Sequence, residues 1–396
     1  MFAGAAARAE QARTYSPGSL RPETARALYG AELHFSSSRI DVLAGCRFAH
    51  FLQYGLRAQE REPAEFDSRF YGTFVHDVLE YIVQQTEREG GFAAVPRSRV
   101  QELAQERMEQ NAQTLLETFP DSGRTGYLLR RTFDEVTQVV DELYDELSVS
   151  AFRPKFCELE FSAHGALPGV AFAGERCRGV VEGFVDRVDV WQSGGRPYVR
   201  VVDYKTGKKS FDYTNVLHGR GLQMLLYLFA LVRQGGHLLH GEPLPAGVLY
   251  FPARIERVSV RDRLAQAEIE KERRKQLRRS GVLLNSDPVL EAMEPCGGSP
   301  RFLPYTLDKE GRKTGDLASF AQLAQLERFV FQTVAALGDE LADGRIDPDP
   351  CIRDAKDSAC AFCPYSEVCA GHEQPRWLKK ITAEEFWQTL ERREHG

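Results

Sequence analysis

Residues Gly179 to Gly207, GVVEGFVDRVDVWQSGGRPYVRVVDYKTG, form two strand-like runs on either side of Gly194 and Gly195, a glycine pair favoured in two-residue hairpins. Folding the chain there sets Asp186 opposite Asp203, Phe184 opposite Lys205, Val188 opposite Val201 and Val190 opposite Val199. Directly opposed side chains have Cβ atoms about 4.5–5.5 Å apart, so two carboxylates placed this way reach one cation. In a bare hairpin the pair only repels, and a divalent ion reverses the sign. The period of two puts Lys205 on the same face as Asp203, among Phe184, Val188, Val190, Val199 and Val201. On the reverse face Asp189 meets Arg200, an ordinary charge pair. Read as architecture alone, Asp203 and Lys205 would be a surface salt bridge and Asp186 an exposed strand acid; the symmetric register and apolar surround weigh against that. Oxygen ligands of this kind suit Mg²⁺ or Mn²⁺ with waters completing an octahedron. Such an ion acidifies bound water and neutralises charge developing on a phosphate, while a nearby lysine orients or deprotonates the nucleophile. The chemistry that fits is phosphodiester hydrolysis.

A second constellation lies near the C-terminus. Cys360, Cys363 and Cys369, in CAFCPYSEVC, have the spacing that lets thiolates converge on a soft ion or a cluster. Three ligands leave one coordination site open, to be filled by Cys351 just upstream or by a cysteine far away in the chain. Cys157, Cys177 and Cys296 read as ordinary thiols.

The surrounding pattern must position both sets. Residues 1–34 are an Ala- and Arg-rich lead-in broken by Pro17, Gly18 and Pro22. Residues 35–150 are mostly helical: Ser36, Ser37 and Ser38 offer N-cap hydroxyls, with Asp41 completing an approximate capping box, ahead of a helical region containing Cys46. Further helical periodicity runs over Phe70–Arg88, Arg99–Thr118 and Tyr127–Leu147. Residues 151–345 carry strand-like alternation over Phe156–Ala163, Arg178–Trp191, Tyr198–Tyr204, Val248–Pro252 and Ile255–Val260, with helices over Gly221–Gln234 and Asp316–Leu341. Residues 346–396 form the cysteine-rich tail. The predicted fold is α/β, with helices around a small mixed sheet.

Composition narrows the function classes. With 42% apolar and 27% charged residues the chain is globular. A net charge of −6 removes any whole-molecule case for polyanion binding, so a basic surface must be local. Arg254–Arg279, with ten basic and five acidic residues, is one candidate, although a solvated helix would look the same. The longest apolar run, around Leu225–Val232, is far short of the roughly 20 residues a membrane span requires, and no secretory core is present, so a cytoplasmic chain is expected. GxxxxGK[ST] is absent, so no ATP hydrolysis is expected of these residues.

Asp186, followed after a spacer by Asp203-Tyr204-Lys205-Thr206-Gly207, resembles the PD-(D/E)xK nuclease motif in its RecB-like form. The resemblance implies a restriction-endonuclease-like core. It also implies metal ligation by His76 in GTFVHDVLE together with Asp186, Asp203 and Tyr204, and a catalytic Lys205. Gln223 and Tyr227, matching the family's QxxxY, would support the site or contact DNA. The cysteines are similar to those of the iron–sulfur branch, in which Cys46, Cys360, Cys363 and Cys369 would hold a 4Fe–4S cluster, with Cys351 in reserve and zinc as the competing occupant. Such a cluster would staple the tail to the N-terminal helices. Over Ala31–Ala370 the motifs look most like an AddB-type nuclease domain of bacterial helicase–nuclease complexes. That implies a magnesium-dependent exonuclease acting on the 5′-terminated strand of DNA beside an AddA-type helicase–nuclease. If so, the helicase-like portion is absent, and the chain is either a fragment or acts alone. Arg47 departs from the family, which usually has Pro after the cysteine. Rival readings are a stand-alone nuclease of CRISPR-adaptation type, which the long Gln85–Leu147 insert disfavours, and a non-catalytic iron–sulfur DNA-binding scaffold, which the intact Asp, Asp, Lys set disfavours.

Overall fold

The computed structural model describes residues 4, 18–58, 68–118, 123–207, 210–255, 266–369 and 375–395. In chain order the elements that matter are β1 (Leu33–Ser36), α1 (Ser37–Gly45), α2 (Ser68–Arg88), α3 (Arg97–Thr118), α4 (Gly123–Leu147), β2 (Arg153–Phe161), β3 (Val170–Ala173), β4 (Arg178–Ser193), β5 (Arg196–Lys205), α5 (Gln223–Gln234), β6 (Leu244–Pro252), β7 (Ser280–Leu284) and α6 (Phe320–Ala342). The helices predicted from periodicity are all present with ends shifted by a few residues. The strand expected over Ile255–Val260 lies almost wholly outside the described residues.

One mixed sheet organises the molecule, in the order β1-β4-β5-β6-β7 followed by the two-residue strand Leu317–Ala318, with β2 and β3 also pairing β4. β4 and β5 are the antiparallel hairpin read from the sequence, and Gly194 and Gly195 take φ of 58° and 75°, the left-handed pair that such a turn requires. β5 and β6 run parallel, and the connection between them includes α5, which packs against both strands. β4 is long because it serves two neighbourhoods. Its first residues pair with β1 and β3, and from Gly183 onward it pairs with β2 and then β5.

Helix α1 is capped by Ser36, whose hydroxyl accepts from Arg39 N at 3.2 Å. The predicted box partner, Asp41, is used elsewhere: it accepts from Gly221 N at 2.7 Å, just ahead of α5. A full capping box forms at α6, between Ser319 and Gln322. One contiguous set of buried apolar residues runs from Ala25 to Leu390.

The face that carries Asp189 and Arg200 departs from the sequence reading. The register Asp189↔Arg200 is as expected, yet both side chains are fully buried with Arg187. Arg187 Nε donates to Asp189 at 2.7 Å and Arg200 Nε at 2.8 Å; Arg200 and Arg279 then both pair with Glu146 of α4, at 3.0 and 2.8 Å. Charges survive there only because each is paired. Arg279 was expected within a basic surface stretch. It is instead buried between Phe251 and Phe302, and Arg278 donates to the carbonyls of Leu303 and Tyr305. Arg257, Arg261 and Arg263 lie outside the described residues.

Candidate active site

The hairpin register holds through Arg187↔Val202, which leaves Asp186 and Asp203 at the next step. There Asp186 Oδ2 accepts from Tyr204 N at 2.6 Å, so the carboxylate is fixed against the neighbouring strand. On the other side of β4, the pairs Cys157↔Arg187 and Leu159↔Val185 bracket Glu158 opposite Asp186. On the far side of β5, Asp203 is in register with Tyr250 of β6. Three acids therefore sit in one row across β2, β4 and β5. Lys205 pairs with the Asp203 carboxylate and lies 5.7 Å from the Tyr250 ring, while Asp203 Oδ2 makes no directional hydrogen bond.

His76 reaches the row from α2. Its Nε2 is 2.9 Å from the Tyr204 carbonyl oxygen and its Nδ1 is 3.6 Å from Asp186 Oδ2. With the proton on Nε2, donated to that carbonyl, the Nδ1 lone pair is free toward the acids. Burial holds the imidazole below its usual pKa, so it is neutral, the form that binds metals. Burial and the neighbouring charge of Asp203 push Asp186 well above the carboxylate range, and burial raises Glu158. Ligand atoms of His76, Glu158 and Asp186 lie within 4.8 Å of one another. Several crowded carboxylates and a neutral imidazole suit a hard or borderline divalent ion.

Of the residues read from the sequence, Asp186, Asp203, Lys205 and His76 come together, and Tyr204 joins them through its backbone. The Tyr204 phenol points away, accepting from Arg187 Nη1 at 2.9 Å in the buried network. The apolar surround is as expected at Val188, Val199 and Val201, all buried, but Phe184 is 49% exposed. Tyr227 is buried, stacks on Phe161 at 4.9 Å and donates to the Glu182 carbonyl at 3.3 Å, bracing β4 from behind. Gly183 has φ 152°, and a Cβ there would overlap the Tyr227 hydroxyl. Gln223, the first residue of α5, is half-buried. Sequence reading missed Glu158. The signal was available in FCELEF, whose alternation marks a strand, but nothing in it said which strand would be its neighbour.

The cysteines also converge. Cys46, Cys360, Cys363 and Cys369 line one cavity of about 210 Å³ with Phe48, Pro348 and Tyr365 among its walls. Cys46 is extended, φ −164°, between α1 and the short helix Arg47–His50, and burial pushes its thiol up to about 11. Cys351 is buried outside this lining, its Sγ 3.3 Å from the Ala44 carbonyl oxygen. Arg47 donates its backbone N–H to Asp349 at 3.1 Å and pairs its guanidinium with Glu340 and Asp349.

A mixed sheet whose central hairpin gathers two aspartates and a lysine, with a histidine from a preceding helix, defines a nuclease-type core. The chain belongs to the PD-(D/E)XK nuclease superfamily, whose sequence profile matches residues 34–370. It is 34% identical over 357 residues to a subunit of the ATP-dependent helicase/deoxyribonuclease of Moorella thermoacetica, covering 89% of this chain and 31% of that protein. The same subunit from Caldanaerobacter subterraneus and from a Thermoanaerobacter species is 31% and 29% identical, over 88% and 92% of this chain and 30% and 33% of the relative's own length. The chain thus spans about a third of the length of these relatives. Among the described residues, no helix is long and apolar enough to cross a membrane.

Proposed function

We propose that this chain is a Mg²⁺- or Mn²⁺-dependent deoxyribonuclease, the nuclease portion of a helicase–nuclease that processes DNA ends, acting exonucleolytically on the 5′-terminated strand. The observation that carries the reading is the meeting of Asp186, Asp203, His76 and Lys205 at one end of the β4–β5 hairpin. Asp186, Asp203 and His76 are the residues that would hold the ion, while the Tyr204 carbonyl, which accepts from His76 Nε2, orients the imidazole rather than ligating. A bound divalent ion supplies a Lewis acid for phosphate oxygens and a water of lowered pKa. Lys205, next to Asp203, orients the attacking water or stabilises charge on the phosphate. Tyr227 acts as a brace and Asp186 also anchors the Tyr204 amide.

The DNA substrate and an AddA-type helicase–nuclease partner are inferred from the name the relatives share, which describes proteins about three times as long. A 4Fe–4S cluster is the occupant proposed for the cavity of about 210 Å³ that Cys46, Cys360, Cys363 and Cys369 line together, with zinc as the competing occupant for four thiolates.

Cleavage of strand-labelled DNA in Mg²⁺ by the wild type, Asp203→Ala and Lys205→Ala tests the assignment. Each substitution is expected to lower the rate by a factor of about 10² or more, with product from the 5′-labelled strand. Wild-type rates in both variants would remove the catalytic assignment. Anaerobically purified protein should be brown and contain iron; colourless protein with stoichiometric zinc would defeat the cluster.

A further inference from the structure

The face of β4 that carries Asp186 comes out of the core step by step. Val188 is fully buried, the Asp186 side chain is 12% exposed, and Phe184 is 49% exposed. Strand alternation puts these three on one face, while Val185 between the last two is buried on the other. Phe184 therefore stands at the mouth of the candidate site, its Cα about 7 Å from that of Asp186 at the ordinary rise per residue. Among the described residues no ring stacks on it, and it joins no part of the core.

Scattered exposed apolar side chains are normal, and Phe320 at the start of α6, 46% exposed, is one of them. Two features besides position set Phe184 apart. The backbone beneath it is clamped: Gly183 packs against the Tyr227 hydroxyl, Tyr227 donates to the Glu182 carbonyl at 3.3 Å, and Phe184 itself is in register with Glu160 of β2. The charged groups flanking it, Asp186 on its own strand and Glu160 across from it, are acids, which repel a phosphate wherever no cation neutralises it. A fixed, open ring between acids suits a flat uncharged partner, and the part of a nucleotide that answers to this is the base.

We propose that Phe184 is the platform on which a base of the DNA strand stacks while a phosphate of that strand lies at the Asp186–Asp203 end of the hairpin. The inference rests on the nuclease reading and adds to it a contact that holds the substrate through a base and not through charge. Stacking needs an unpaired base and accepts any of the four, so the strand at this point is single and is not selected by sequence.

The test is Mg²⁺-dependent cleavage, by the full chain, of an oligothymidylate and of an oligonucleotide of the same length with abasic sites in place of the bases. On oligothymidylate, Phe184→Ala and Phe184→Leu are expected to raise KM about 10-fold with kcat within about twofold of the wild type, and Phe184→Trp to restore KM. On the abasic strand all four proteins should agree, and Phe320→Ala should match the wild type on both. A wild-type KM for Phe184→Ala on oligothymidylate overturns the platform. So does an equal loss on both strands, or full rescue by leucine, either of which would mark a packing role. Binding followed by fluorescence anisotropy, with Ca²⁺ in place of Mg²⁺, keeps this inference separable from the nuclease reading. The wild type should hold oligothymidylate about 10-fold more tightly than Phe184→Ala does. That preference without any Mg²⁺-dependent cleavage would keep the platform and remove the nuclease reading; cleavage without the preference would do the reverse, and the lack of both would overturn both.

Discussion

At the scale of single residues, the site crowds acids whose charged forms the fold disfavours. Burial and Asp203 raise the Asp186 pKa, and burial raises that of Glu158. An acid whose folded pKa exceeds its unfolded value binds more protons in the native state. Stability therefore falls as pH climbs from the ordinary carboxylate range, near 4, toward the raised value. Protein held in chelator should lose melting temperature across that window, and Asp186→Asn should flatten the loss. Differential scanning calorimetry from pH 4 to 8 checks this, and a variant that tracks the wild type at every pH would refute it. The proposed ion would have to expel these protons, so Mn²⁺ affinity is expected to tighten with rising pH in the same range. The Asp186–Asp203 pairing was legible in the sequence because a hairpin with a two-residue glycine turn has one register. Glu158 was not, because its partner strand is separated from it by β3, and alternation in a strand names a face without naming a neighbour.

At the scale of elements, the long helical insert and the β4–β5 hairpin are joined through charge. Glu146 near the end of α4 is the carboxylate that serves both Arg200 and Arg279, and these cations hold its pKa down to about 2 against the opposing effect of burial. Replacing it with Gln leaves two buried guanidiniums short of a partner and should cost about 3–5 kcal/mol, seen as a lower urea midpoint at unchanged slope. The pH dependence has the opposite sign to that of Asp186. A depressed acid contributes above its unfolded pKa, near 4.5, and the contribution is lost as pH falls from there toward 2. A second element-level brace is Tyr227 against Gly183. Gly183→Ala adds both a clash with the hydroxyl and a forbidden φ, and should cost about 2–3 kcal/mol; adding Tyr227→Phe should recover the clash and leave the strain. No recovery in the double variant would assign the whole cost to the backbone. The amphipathic helices α2, α4 and α6 were readable because each repeats its apolar stripe over several turns. Strands β1, β3 and β7, at four or five residues, are too short for alternation to stand out, and Asp189 beside Arg200 has the same spelling whether it faces water or a helix.

At the scale of the whole molecule, the C-terminal segment is fastened to the N-terminal helices by two devices of different chemistry. A cluster on Cys46 and Cys360 would close a loop of more than 300 residues, which the chain-entropy model values at about 5–6 kcal/mol. The same loop is already closed by protein alone. Arg47 binds Glu340 and Asp349, Phe48 N donates to the Asp347 carbonyl at 3.0 Å, and Arg376 reaches the Ala44 carbonyl at 2.6 Å. A proline at position 47, the residue that the resemblance would lead one to expect, could supply neither the guanidinium nor the N–H that Asp349 accepts. Loop entropy is released only when the last fastener opens. Cys363→Ser alone should therefore cost well under the full crosslink value, and Arg47→Ala alone about 3 kcal/mol for stranding two acids. The double variant should lose more than the sum of the two, by about 1–3 kcal/mol, and should become cleavable by protease in the segment after residue 346. Urea unfolding of the four proteins, each purified anaerobically, measures that excess directly. Additivity within about 0.5 kcal/mol would mean that the cluster and the Arg47 pairings hold different parts of the chain.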